Sequence, residues 1–197
     1  MWKHAIALSR QLQSHGGKFV LGDRRFLPHI SLYHIPVNPK VCPLFMRAVK
    51  RIASRSSGGA LRLRSIDMPV LKTDKPRWLI DLQRDVVDNT LEYFDRNWGA
   101  EETWDIDKLP LSLRAAGKRH LKKYGSPMMG RVFRPHITLT SFERRPTKDI
   151  PLEVIPLVFD VDEIVICELG PHHTCQRVIA RYPLSSAALP LLARRGC

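Results

Sequence analysis

Apolar side chains recur along this chain at two periods, and the switch between them marks out the elements. From Trp2 to Ser14, Trp2, Ala5, Ile6 and Leu12 fall at helical spacing, and Gly16-Gly17 supplies a stop. Lys18 to Leu21 suits a short strand, and Phe26 to Ile35 reads as a longer one broken by Pro36 and Pro39. Pro43 fits the first turn of a helix to about Ser54, with Phe45, Val49, Ile52 and Ala53 on one face. Leu61-Arg62-Leu63-Arg64 alternates with period two and predicts a strand to about Leu71. Thr73 to Pro76 then reads as a turn, with Trp78 to Leu82 as the return strand of a hairpin. Asp85 is placed to cap the next helix, whose stripe is Val87, Leu91, Phe94 and Trp98, with Gly99 at its end. An acidic, loop-like stretch from Glu101 to Leu109, containing Trp104, precedes a helix over Ser112 to Tyr124 that Gly125 closes. Arg131 to Phe142 reads as a second long strand, followed by a basic connection over Glu143 to Pro151. Val158 to Leu169 is β-branched and pairs with Gln176 to Leu184 across a turn at Gly170 to Cys175.

Two of these strands carry nearly the same pentapeptide, Pro28-His29-Ile30-Ser31-Leu32 and Pro135-His136-Ile137-Thr138-Leu139. On this composition a chance second copy is expected less than about once in a thousand such chains. Residues i and i+2 of a strand share a face, so His29 pairs with Ser31 and His136 with Thr138, while Ile30, Leu32, Ile137 and Leu139 point into a core. Each copy joins a proton-transfer group to a hydroxyl. By the same parity Tyr33 shares the face of His29, and Phe142 that of His136, which makes both candidates for stacking on a base. Arg134, two residues before His136, faces the same way and is placed to steer phosphate. His34 falls on the opposite face and reads as a packing or surface residue, and His120 as a core-edge one.

Composition narrows the partner. The 197 residues carry a formal charge of +13, which favours polyanions, RNA first among them. Four cysteines without C-x-x-C spacing, and no signal sequence or membrane span, predict reduced thiols in a cytoplasmic protein that makes no membrane contact. His172-His173 with Cys175 lacks a second ligand cluster, so no metal site is expected. Phosphate-cradling, dinucleotide and serine-hydrolase signatures are absent from the sequence.

The twin motif resembles the His-apolar-Thr/Ser-apolar signature of the two-histidine (2H) phosphoesterases, which include RNA 2′,3′-cyclic phosphodiesterases and bacterial 2′-5′ RNA ligase-like proteins. The resemblance spans most of the chain; Ser31 stands where Thr is commoner, and the hydroxyl is retained. It implies an α+β fold of two pseudo-symmetric lobes, with antiparallel sheets flanking a central cleft. Residues 1–184 would form one bilobal domain and 185–197 a loosely held tail. The second half has a strand before its helix that the first half lacks, and that strand is expected upstream of an internally chosen start Met. The resemblance also implies catalysis without a metal or other cofactor, by His29 and His136 as acid and base in undecided order, with Ser31 and Thr138 on the phosphoryl oxygens. Substrates would be cyclic-phosphate ends or 2′-5′ linkages of RNA or related nucleotides, and the protein is expected to be a monomer. An RNA-end-binding module without turnover, and a ligase-type reversal, are the alternatives.

Overall fold

The computed structural model describes residues 1–97, 104–144, 146, 150–153 and 155–185. Helix α1 (Trp2–Gln13) buries Ala5, Leu8, Ser9 and Leu12, the spacing that one helical face requires. The chain turns out of it at Gly16, whose φ of +88° is open to glycine and strained for other residues. Helix α2 (Cys42–Arg55) has Pro43 in its first turn and buries Ala48, Val49, Ile52 and Ala53. A hairpin follows, β1 (Gly59–Asp67) and β2 (Val70–Thr73), turning through a cis Met68–Pro69 peptide.

Helix α3 (Arg77–Thr90) begins where a return strand was expected. The reason is periodicity: Leu79, Leu82, Val86 and Val87 form one buried stripe, so Trp78 to Leu82 is the first turn of a helix and not a separate strand. The hairpin therefore closes earlier, at Met68-Pro69, with β2 as its second arm. Helix α4 (Leu111–Tyr124) ends on Gly125 in the left-handed conformation, as expected. Strand β3 (His136–Thr138) is shorter than the run 131–142, and β4 (Val158–Val161), β5 (Glu163–Leu169) and β6 (Cys175–Pro183) complete the fold. Trp98 and Gly99, the first three residues of the acidic stretch (101–103), and the tail from residue 186 onward lie outside the described residues.

Two antiparallel sheets result. One has the order β3-β2-β1-β4, and the other is the pair β5-β6. Leu63, Leu71, Ile137 and Leu139 on the inner face of the larger sheet pack against Ala5, Leu8 and Leu12 of α1. Ser9 is buried in that contact because its hydroxyl donates to the Leu139 carbonyl at 2.6 Å and accepts from the Leu21 N–H at 2.9 Å. A second core joins α2 and α3 to Ile164 of the smaller sheet and to Leu184, just past its end. Lys18 to Leu21 joins no ladder, although Lys18 N–H reaches the Ser141 carbonyl at 2.9 Å and Thr140 donates to the Phe19 carbonyl at 2.8 Å.

The largest departure is at Phe26 to Ile35. This run belongs to no sheet: Phe26 sits at a φ of +55°, and a second bend falls at Leu32. Its alternation of apolar and polar positions describes what its side chains touch, and a strand also needs a neighbouring main chain to pair with. Cys167 and Cys175, expected as free thiols, form a disulfide that links β5 to β6 with Cα atoms 5.6 Å apart; Cys42 is free.

Candidate active site

His29 and His136 are held in the same way. In each, ring Nδ1 lies 2.7 Å from the carbonyl oxygen two residues earlier, Leu27 for His29 and Arg134 for His136. A carbonyl only accepts, so Nδ1 carries the hydrogen and the neutral ring presents Nε2 as its basic atom. Neither Nε2 has a partner within the protein among the described residues. This matched geometry needs a residue i−2 carbonyl facing its own ring, which an extended backbone supplies whether or not it is laddered.

The two copies are anchored by the apolar residues that parity assigned. Ile137 and Leu139 are fully buried beneath the larger sheet, and Ile30 and Leu32 pack on the cores beside it. Thr138 shares with His29 the lining of a small cavity of about 10 Å³, about the space one water occupies. The first motif's histidine and the second motif's hydroxyl therefore meet. The Ser31 and Thr138 hydroxyls donate to no group among the described residues, which leaves both able to bind a ligand oxygen. Ser31 lines a larger adjoining cavity with His29. His29 is held below the ordinary histidine range mainly by burial; the Leu27 carbonyl opposes this in part, and the charge on His136 adds to it. His29 is thus neutral at pH 7 with its lone pair on Nε2.

The bend at Leu32 redirects the residues after it. Tyr33 turns into the second core, and its hydroxyl donates to the Tyr124 carbonyl at 2.5 Å, where burial raises its pKa. Its ring borders the larger cavity, but its hydroxyl is spent on tying the motif segment to the end of α4. His34, expected on the opposite face, comes within electrostatic reach of both His29 and His136. Its ring stacks on Trp104 and His173 at 5.4 and 5.1 Å between centroids, and neither ring nitrogen has a partner among the described residues. Burial, with the nearby His173, pushes its pKa down to about 3. Phe142 packs against the α1 core and lines neither of the two cavities that His29 borders. Thr140, on the same parity, is fully buried and bonds to Phe19. Arg134, just before β3, is exposed.

Two positioning groups had no signature in the sequence. Gln83 of α3, 3% exposed, donates to the Leu32 carbonyl at 3.1 Å and the Met128 carbonyl at 2.8 Å, so one amide ties the first motif to the approach of the second. Lys75 Nζ donates to the Gly130 and Phe133 carbonyls at 3.0 and 2.7 Å, fixing the loop that delivers Arg134 and His136. A glutamine on a helical stripe and a lysine in a turn look like ordinary surface residues until the tertiary contacts exist. Among the described residues no three His, Cys, Asp or Glu side chains are grouped to hold a metal, and no helix is long and apolar enough to cross a membrane. His120 sits at the edge of α4 against Tyr124.

The sequence matches no protein-family model and no curated protein. Its structure is similar to TT0787 of Thermus thermophilus, with a TM-score of 0.56 at 18% identity over 93% of this chain and 91% of that one. It is also similar to E. coli LigT. The LigT complex with NADP+ gives 0.51 at 16% identity over 91% and 92% of the two chains, and the complex with 3′-AMP gives 0.51 at 16% over 92% and 93%. With α helices packed on antiparallel sheets, this chain has the same fold as TT0787 and E. coli LigT.

Proposed function

We propose that this chain is a metal-independent phosphodiesterase that opens 2′,3′-cyclic phosphate ends, or cleaves 2′-5′ linkages, of RNA or related nucleotides. The observation that carries the reading is the matched tether of His29 and His136, each Nδ1 bonded to its own i−2 carbonyl with Nε2 left free. Opening the cyclic ester needs a base for water, an acid for the leaving oxygen and donors for the phosphoryl oxygens. Burial keeps His29 neutral, which suits it to take the water proton on Nε2. His136, once protonated on Nε2, gives its proton to the 3′ oxygen as the P–O3′ bond breaks and a 2′-phosphate remains. Ser31 and Thr138 then donate to the non-bridging oxygens, where negative charge grows in the transition state. Arg134 and the overall +13 charge draw in the polyanion. In support, E. coli LigT, of the same fold, forms complexes with the nucleotides 3′-AMP and NADP+.

The test is turnover of cyclic-phosphate-ended RNA, 2′-5′ oligoadenylate and nucleoside 2′,3′-cyclic phosphates in EDTA, comparing wild type with His29→Ala and His136→Ala. Each substitution is expected to lower kcat by roughly 10² to 10⁴. Near-full activity in both variants would sink the acid–base assignment. Binding of RNA ends without turnover by the wild type would favour the binding-module alternative, and joining of ends the ligase-type one.

A further inference from the structure

The positive charge of this chain is not spread evenly. Residues 108–142 carry eight Lys and Arg and no Asp or Glu, +8 of the formal +13, and this segment ends in the second motif. Lys108 and Arg114 are paired with Asp105 and Asp107. The other six, Lys118, Arg119, Lys122, Lys123, Arg131 and Arg134, are exposed and form no ion pair among the described residues. Four of them lie on α4 opposite its buried Gly117 and Leu121, in two rows of i, i+4 spacing, Lys118–Lys122 and Arg119–Lys123. Like charges at that spacing destabilise a helix. Lys122 and Lys123 offset this through the dipole of the last turn, but Lys118 and Arg119, a turn earlier, do not. The helix ends at the cavity that His29 and Ser31 border: Gly125 is part of its wall, and Tyr33 bonds to the Tyr124 carbonyl. From there the loop fixed by Lys75 carries Arg131 and Arg134 to His136. Helix α2 gives the contrast. Its exposed Arg47, Lys50 and Arg51 also form no ion pair among the described residues, but they lie opposite Phe45 and Val49, which border the same cavity.

We propose that the exposed face of α4 is a track for the body of an RNA strand. The nucleotides 5′ of the reacting phosphate lie along it, with their phosphates against Lys118, Arg119, Lys122 and Lys123, and Arg131 and Arg134 lead the strand into the site. This rests on the phosphodiesterase reading and narrows it, because a mononucleotide in the site leaves the α4 cations uncovered. Rows of cations with no acidic neighbour on the helix suit a backbone that carries one negative charge per nucleotide and releases counterions on contact. The 14 residues of α4 span roughly 21 Å, the length of about six nucleotides at ~3.4 Å each, so the contacts extend well past the reacting end.

Fluorescence anisotropy with 2′-phosphate-ended RNA of about one, four, eight and twelve nucleotides reads binding whether or not the protein turns over, so it stands apart from the test of the acid–base pair. Kd should fall about tenfold or more from the mononucleotide to the octamer and then level off. The variant Lys118→Gln/Arg119→Gln/Lys122→Gln/Lys123→Gln should weaken octamer binding about tenfold or more at about 0.1 M salt. It should also flatten the slope of log K against log [salt] by about 2 to 3, at about 0.7 per lost contact. Its urea midpoint should hold or rise, since two like-charged pairs are removed. The control Arg47→Gln/Lys50→Gln/Arg51→Gln should change octamer binding by less than about threefold. In turnover, the α4 variant should lower the ratio of kcat/KM for a cyclic-phosphate-ended octamer to that for a nucleoside 2′,3′-cyclic phosphate. Three results would overturn the proposal: equal binding of mononucleotide and octamer, equal weakening by the α2 and α4 variants, or octaglutamate bound as tightly as the RNA octamer. The first would leave a mononucleotide site, the second diffuse charge, and the third a docking face for an acidic polypeptide.

Discussion

His34→Phe should make this protein less sensitive to acid without loss of stability at pH 7.5. In the fold, the His34 ring is enclosed by Trp104 and His173, with neither nitrogen partnered among the described residues and its pKa pushed down to about 3. In the unfolded chain it takes up a proton near its ordinary value of about 6.5. Between these values the unfolded state binds a proton that the folded state refuses, so stability falls as pH drops through about 6.5 and stops falling near the folded value. At pH 5 the loss relative to pH 7.5 is set by the unfolded value alone, about 1.5 units at 1.36 kcal/mol each, or about 2 kcal/mol. Phenylalanine keeps the stacked shape and abolishes this loss. It also removes buried ring nitrogens, each of which costs about 1–3 kcal/mol when unsatisfied, so at pH 7.5 the variant should equal or exceed wild type. Urea unfolding of both proteins at pH 7.5 and pH 5.0 measures the difference, and other titrating groups largely cancel in the comparison. An identical drop in both proteins, or a variant clearly weaker at pH 7.5, would show that His34 is not held in the environment described.

Three further outcomes rest on the same contacts. The acidic limb of kcat/KM against pH should lie below the ordinary histidine value, because His29 must lose its proton to act as base and burial helps it do so; a limb at or above about 6.5 would exclude His29 from that role. Cys175→Ser, or reduction, should cost about 2.5 kcal/mol for a loop of sequence separation 8, read as a lowered urea midpoint. It should also lower kcat, since the Cys175 carbonyl accepts from Leu27 N–H at 3.4 Å and the Leu27 carbonyl holds the His29 ring; unchanged kcat would sever that link. Ser9→Ala should destabilise by about 2 kcal/mol, because it strands the buried Leu139 carbonyl and Leu21 N–H together, and a change below about 0.5 kcal/mol would mean that the contact can relax.

Much of the site was legible because it is local. The spacing of His29 to Ser31 and of His136 to Thr138, and the apolar residues between them, fix which side chains face inward, and that alternation survives even where no ladder forms. The same holds for α1, α2 and α4, whose buried faces, with Gly16 after α1 and Gly125 after α4, can be read one turn at a time. Errors began where a local pattern admitted two readings. Trp78 to Leu82 is apolar enough for a strand, and only the continuation of its stripe to Val86, packed on α2, makes it a helix. Tyr33 and Phe142 were assigned by extending strand parity past a bend at Leu32 and past the end of β3 at Thr138.

From its sequence alone this chain determines two proton-transfer groups, each with a hydroxyl companion, on a strongly positive protein. Those properties depend on covalent spacing and composition, which no folding can change. Tertiary structure alone decides that His29 and Thr138 border one small space, that His34 comes near the histidine pair, and that Cys167 finds Cys175. Each of these is a distance between residues remote in the chain or past a bend, and such distances are set by which surfaces exclude water together.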